Sequence, residues 1–115
     1  MPEITHAISI RQPYVELILR GIKKYEYRST PTRITGRVYL YAAKKSVDDD
    51  AAWHKAENQR GELPTGLILG SVVIAGCEWS AKDGSYRYKL ESPKRLKKGL
   101  EANSHPQPKF FRPKV

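Results

Sequence analysis

Lys23, Glu26 and Arg28 lie within one short segment, Gly21-Ile22-Lys23-Lys24-Tyr25-Glu26-Tyr27-Arg28, and are the side chains of this 115-residue chain best suited to joint chemistry. Lysine supplies a mobile point charge, arginine a planar fork that matches a phosphate or carboxylate, and glutamate a directional acceptor. Tyr25 and Tyr27 alternate with Lys24, Glu26 and Arg28, a period of two that predicts a strand with the tyrosines on one face and the charges on the other. Glu26 and Arg28 then project to one side, close enough to pair, with Lys23 at the turn before them. Two readings follow. The pair is either a solvated surface contact on an edge strand, worth about 1 kcal/mol or less, or the floor of a charged cleft.

The element that positions this segment is a helix over residues 12–20. Pro13 suits its first turn, Tyr14, Leu17 and Ile18 form an apolar stripe, and Gly21 suits the left-handed position past its end. Ser9-Ile10-Arg11-Gln12-Pro13-Tyr14, together with the G-x-K-x-x-E-x-R pattern of Gly21, Lys23, Glu26 and Arg28, resembles the signature of the ASCH family. Residues 66–72 resemble that family's central strand, and Leu90-Glu91-Ser92-Pro93 with His105-Pro106-Gln107-Pro108 resemble the end of its bacterial single-domain members. The resemblance implies a small β-barrel related to the PUA RNA-binding domain, spanning nearly the whole chain.

The rest of the pattern is mostly strand. Residues 4–10 alternate and lead into the first helix, and Gly36-Arg37-Val38-Tyr39-Leu40-Tyr41-Ala42 is a strand with Val38, Leu40 and Ala42 inward. Ser46 or Asp48 is placed to cap a second helix reaching about Arg60, with Gly61 beyond it. Residues 63–79 form the most apolar stretch, a strand buried on both faces or passing through the barrel, in which Gly66, Gly70 and Gly76 allow a bend or a close backbone approach. Lys82-Asp83-Gly84-Ser85 is a hairpin turn, residues 86–90 the returning strand, residues 92–104 a short surface connection, and residues 108–113 a last edge strand. The expected fold is therefore α+β, mainly β: one domain over residues 1–115, a PUA-like barrel with two or three short helices.

Composition is that of an ordinary globular chain, 39% hydrophobic and 29% charged, with no apolar run long enough to span a bilayer. The first ten residues have no secretory pattern, and the lone Cys77 leaves no internal disulfide framework, so a cytoplasmic monomer with no membrane association is expected. Cys77 lies in an apolar run and is expected to be buried and inert. The net charge is +9, and it is uneven. From Lys82 onward ten basic residues face three acidic ones, a balance of +7, against +2 for the rest. Clustered lysine and arginine gain affinity for phosphates by counterion release, which makes Lys94, Arg95, Lys97 and Lys98 candidate backbone contacts. Phe110 and Phe111 are expected in the core, while Tyr86 and Tyr88 are more open and suited to stacking on unpaired bases.

Enzyme signals are few. His6, His54 and His105 lack metal-ligand spacing, and Asp48, Asp49 and Asp50 at a helix start are better explained by capping and solvation than by a metal, so no metal and no cofactor is expected. There is no G-x-S-x-G elbow and no P-loop. The family resemblance implies one hydrolytic possibility, similarity to amidohydrolases of N4-acetylcytidine, in which the signature lysine works with a threonine where Glu26 stands here. Without that hydroxyl the covalent route does not carry over. Ribonuclease chemistry, also suggested for the family, would draw on Lys23 and a tyrosine such as Tyr14 or Tyr41. The expected function is a module that binds RNA or a nucleotide or nucleoside ligand in a positive cleft, with Arg11, Gln12, Tyr14, Lys23, Glu26 and Arg28 as its residues. The alternative is a hydrolase acting on a modified nucleoside, or a ribonuclease, using Lys23 and Glu26.

Overall fold

Two long apolar-alternating stretches joined by Asp83-Gly84 dominate the molecule. In the computed structural model, which describes residues 3–103 and 110–114, they form a hairpin of β4 (Leu67–Ser80) and β5 (Ser85–Leu100), and Gly84 takes the positive φ of 65° that the turn needs. The other strands are β1 (Ala7–Ile10), β2 (Tyr25–Arg28), β3 (Gly36–Ala42) and β6 (Phe110–Phe111), and the helices are α1 (Tyr14–Leu19) and α2 (Asp50–Ala56). They make one six-stranded sheet in the order β2-β5-β4-β3-β1-β6, antiparallel except for the parallel β1–β3 pair.

The mainly β, α+β class is as expected, but the sheet does not close into a barrel through its backbone. β2 and β6 are its two edges. It is nevertheless curled. Register shifts interrupt β4–β5 at three places and β3–β4 at one, and each such bulge adds twist and bend. Side chains then span the gap: Arg28 on β2 donates to the Ser9 carbonyl on β1 at 2.7 Å, and the Tyr88 ring on β5 stacks on Phe110 of β6 at 6.2 Å. Inside the curl lies a core of Ile8, Val15, Ile18, Leu40, Val72 and Ile74, each 1% exposed or less.

Several expectations are corrected here. Residues 92–100 are strand rather than surface connection: β5 runs to Leu100 along β4. The bulges, with Ser92 at a positive φ of 49°, break the period of two by which a strand is recognised. Helix α2 is capped by Asp49, whose Oδ1 accepts from the Ala52 amide at 3.1 Å, and it stops at Ala56 because Glu57 turns left-handed. Arg60 folds back to pair with Asp48 and Asp50. Tyr88 is buried and donates its hydroxyl to the Thr30 carbonyl at 2.6 Å, so it is core rather than an open platform. Phe111 is buried and Phe110 packs on the core, as expected, and Cys77 is half-buried against the same cluster. Residues 104–109, including His105, Pro108 and Lys109, lie outside the described residues. No helix among the described residues is long and apolar enough to cross a membrane.

Helix α1 is bound to β5 by charge as well as by packing. Glu16, 6% exposed, accepts from both terminal nitrogens of Arg95 at 2.9 Å and from Arg20 Nε at 2.6 Å. Burial alone would raise its pKa, but hydrogen bonds and charge from Arg95 and Arg20 outweigh it and hold the carboxyl below the ordinary range. Below the helix β4 and β5 come very close at Gly70. A Cβ there would meet the Lys94 carbonyl oxygen at 2.4 Å and Leu19 Cδ2 at 2.6 Å, and the carbonyl is backbone that cannot swing away. Gly70→Ala is therefore expected to lower stability by about 1–3 kcal/mol in urea unfolding, whereas Gly76→Ala, with nothing within 4 Å of the new carbon, leaves it nearly unchanged.

Candidate functional site

Lys23 reaches the site because the chain reverses just after α1. Gly21 adopts φ 75°, and the amides of Ile22 and Lys23 both donate to the Leu17 carbonyl, at 2.9 and 3.0 Å. Strand β2 follows at the sheet edge, paired with β5 in the register Glu26 to Tyr88 and Tyr27 to Arg87. Glu26 and Tyr88 thus share the concave face. That is why Glu26 is only 7% exposed, in place of the solvated edge that alternation alone allowed.

The buried carboxylate is bracketed. Its Oε1 lies 3.7 Å from Lys23 Nζ, and its Oε2 accepts from Arg28 Nε at 3.0 Å and Nη2 at 2.7 Å. The Lys23 ammonium also stands between two rings, 5.0 Å from the Tyr14 centroid and 5.2 Å from that of Tyr27, a favourable placement for a cation. Desolvation pulls the Lys23 pKa down; Glu26 opposes it and Arg28 adds to it, and the net direction is below the ordinary lysine value. Tyr14 donates its hydroxyl to Asp49 Oδ2 at 2.9 Å, and burial together with that partner pushes its pKa up to about 12. Asp49, held by the Ala52 amide and by Tyr14, shifts the other way. One residue thus caps α2 and orients a ring of the site.

Tyr14 and Glu26 open onto a cavity of 380 Å³ at the seam between β2 and β1, lined also by Arg11, Tyr27, Arg28 and Lys45 among others, with Lys23 beside it against Glu26. Arg11 and Lys45 are exposed at its mouth. Of the residues expected from sequence, Arg11, Tyr14, Lys23, Glu26 and Arg28 are brought together. Gln12 is not: it is fully buried, its Nε2 donating to the Pro64 carbonyl at 3.0 Å and its Oε1 accepting from the Glu16 amide at 3.1 Å, so its polar atoms serve the fold. Lys94, Arg95, Lys97 and Lys98 lie on β5 outside this cavity, and Arg95 is occupied by Glu16. Tyr41 is 3% exposed in a separate cluster with Phe111.

Sequence reasoning missed Tyr27, Lys45 and Asp49. Alternation places Tyr27 on the far face of β2, but at a free edge a long ring can wrap round. Lys45 follows β3 in a loop with no local signal, and only the fold brings it to the seam. Among the described residues no group of three histidine, cysteine or acidic side chains could hold a metal ion.

An open, curled α+β sheet with a charged cavity at the seam between edge strand β2 and β1 is the kind of domain in hand. The ASCH domain family model matches residues 8–108, and the chain belongs to that family. It is 34% identical over 80 residues to activating signal cointegrator 1 of Homo sapiens, a match that covers 61% of this chain and 14% of the human protein's length. The fold is that of ASCH from Zymomonas mobilis: its crystal structure superposes with a TM-score of 0.62 at 12% identity, over 95% of this chain and 87% of that one. A tyrosine-to-phenylalanine mutant of the same protein superposes at 0.65 and 12% identity, over 97% and 91%.

The lysine gives a pH test of this geometry. Between its lowered pKa and the ordinary value of 10.5, the unfolded chain holds a proton that folded Lys23 has lost, so its contribution to stability rises with pH across that window. Tyr14 acts oppositely. Its proton is retained in the fold to about 12 but lost from the unfolded chain near 10, which lowers stability above pH 10. Lys23→Met is expected to flatten the rising limb and leave the fall above pH 10 in place, as read by urea unfolding at a series of pH values.

Proposed function

We propose that this ASCH domain binds RNA, or a nucleotide-bearing ligand, in the cleft between β1 and β2, which Tyr14 of α1 also lines. The observation that supports the reading most is the buried Glu26 carboxylate, bracketed by Lys23 and Arg28 and facing a 380 Å³ cavity walled by tyrosines. Arg11 and Lys45 at the mouth meet a phosphate, the arginine bidentately and the lysine as a point charge. Tyr27 offers a stacking face to a base. The Oε1 atom of Glu26, 3.7 Å from Lys23 and so beyond hydrogen-bonding distance, retains acceptor capacity for an exocyclic amine or a ribose hydroxyl. Phosphate contributes affinity, and the carboxylate selects.

A hydrolytic reading draws on one specific feature, the lowered pKa of Lys23 beside Glu26, which favours a neutral amine able to take a proton from water. Arg28 limits it, because a carboxylate holding two arginine hydrogen bonds is a weak base and nucleophile. The two readings part in one experiment: titrate nucleosides, including N4-acetylcytidine, nucleotides and short single-stranded RNAs, and analyse the same samples by mass. Binding without a mass change is expected, and it is expected to weaken in Lys23→Ala with the melting temperature little altered. Protein-dependent deacetylation lost in Lys23→Ala would make the enzyme the better reading. A variant in which only folding suffers would remove the cleft reading altogether.

The basic end of β5 has its own test. Lys94, Lys97 and Lys98 are exposed and make no ion pair among the described residues, while Arg95 is excluded because its loss would take from buried Glu16 both Arg95 hydrogen bonds and leave it Arg20 alone. Changing the three lysines together to glutamine is expected to reduce the salt slope of single-stranded RNA binding by about 0.7 for each phosphate they neutralise. An unchanged slope assigns them to solvation alone.

A further inference from the structure

The cleft has a neighbour on the other side of Lys23. A second cavity, of 310 Å³, opens between the start of β2 and the middle of β5. Its floor is apolar, made of the buried side chains Ile18, Val72 and Leu90, and Tyr25 forms a wall. Lys24 and Lys89 stand exposed at its rim with one carboxylate, Glu91, and none of the three makes an ion pair among the described residues. An apolar slot of this size, with lysines outnumbering the one carboxylate at its mouth, is complementary to a flat ring system attached to an anion.

The surface between the two cavities is aromatic. Tyr25 and Tyr27 sit opposite Lys89 and Arg87 in the β2–β5 register, with ring centroids 6.5 Å apart. Tyr27 lines the first cavity and Tyr25 the second. The 6.5 Å spacing is close to twice the rise of about 3.4 Å between stacked bases in a helical strand, so it suits an extended strand whose bases are splayed apart. The Arg87 guanidinium lies over the Tyr25 ring at 4.7 Å, anchored by Glu78, and offers a further flat cationic surface.

Resting on the cleft reading above, we propose that the ligand is single-stranded RNA spanning both cavities: one base in the cleft, the next in the Ile18–Val72–Leu90 crevice, the linking phosphate crossing the Tyr27–Tyr25 edge beside Lys24 and Lys89. A mononucleotide then satisfies half the site. The occupant is a strand because a strand places successive ring systems one phosphate apart along an open edge, and because Arg11 and Lys45 at one rim and Lys24 and Lys89 at the other make no ion pair among the described residues.

The experiment compares 5′-mononucleotides with the corresponding dinucleoside monophosphates on the intact protein, by calorimetry and by methyl-resolved NMR of Ile18, Val72 and Leu90. The dinucleotide is expected to bind about tenfold tighter or more, the scale of one added base stacked on an aromatic ring, and to shift the crevice methyls, which the mononucleotide leaves in place. Lys24→Gln with Lys89→Gln is expected to remove most of that gain and leave mononucleotide affinity unaltered. Equal affinities, crevice methyls that do not respond, or a gain that survives the double variant would each overturn the second subsite while mononucleotide binding keeps the cleft reading intact. Failure of both ligands to bind would take the cleft reading and the crevice with it.

Discussion

A carboxylate held out of water between a lysine and an arginine is costly, because the mutual attraction of such groups barely offsets their lost hydration unless every partner is well placed. Glu26 meets that condition on one side through the two Arg28 hydrogen bonds, and Arg28 in turn uses a third bond on the Ser9 carbonyl. The same arginine therefore neutralises the site's acid and joins strand β2 to β1 across the open seam of the sheet. Cleft geometry and sheet curvature are one constraint. Where the backbone supplies no ladder between β2 and β1, a side-chain bridge keeps the cavity's two walls at a fixed separation.

The second structural requirement is the placement of α1. It lies over the sheet through Val15 and Ile18, and its buried Glu16 is tied to Arg95 on β5. The missing Cβ at Gly70 lets β4 and β5 approach closely and leaves room for Leu19 of the same helix. With α1 so fixed, Gly21 and the doubly bonded Leu17 carbonyl deliver Lys23 to one point between the two tyrosine rings. Asp49 completes the frame from outside by joining the start of α2 to Tyr14. The walls from α1 and β2 thus hang on elements held by partly buried polar contacts, which favours a preformed cleft over one that assembles on binding.

The strongly basic end of the chain has two distinct roles. Arg95 is structural, paired inside the molecule, whereas Lys94, Lys97 and Lys98 project from β5. Lys24 and Lys89, far apart in sequence, meet at the rim of the apolar crevice that Lys23 also lines. Net charge therefore describes the potential that attracts an anion, and the local pairing of each cation decides which of them can touch it.

Much of the fold was legible in the sequence, for reasons that are local. The strand over residues 36–42, the Asp83-Gly84 hairpin and the Gly21 terminus were expected and are present, because alternation and positive-φ turns act over a few neighbouring bonds. The family was legible too, from residues 9–14 and the spacing of Gly21, Lys23, Glu26 and Arg28. What sequence could not decide was long-range. Strand β5 continues beyond its bulges because β4 lies beside it, Gln12 turns inward because Pro64 offers a carbonyl, and Arg95 turns to α1 because Glu16 is buried there. The same short strand that reads as a solvated edge holds a buried carboxylate once Tyr88 lies opposite and Ser9 bridges to Arg28. Residue type and spacing pointed to Lys23, Glu26 and Arg28; only the curl of the sheet, a tertiary property, added Tyr27 and Lys45, turned Gln12 away and decided how far each group is removed from water.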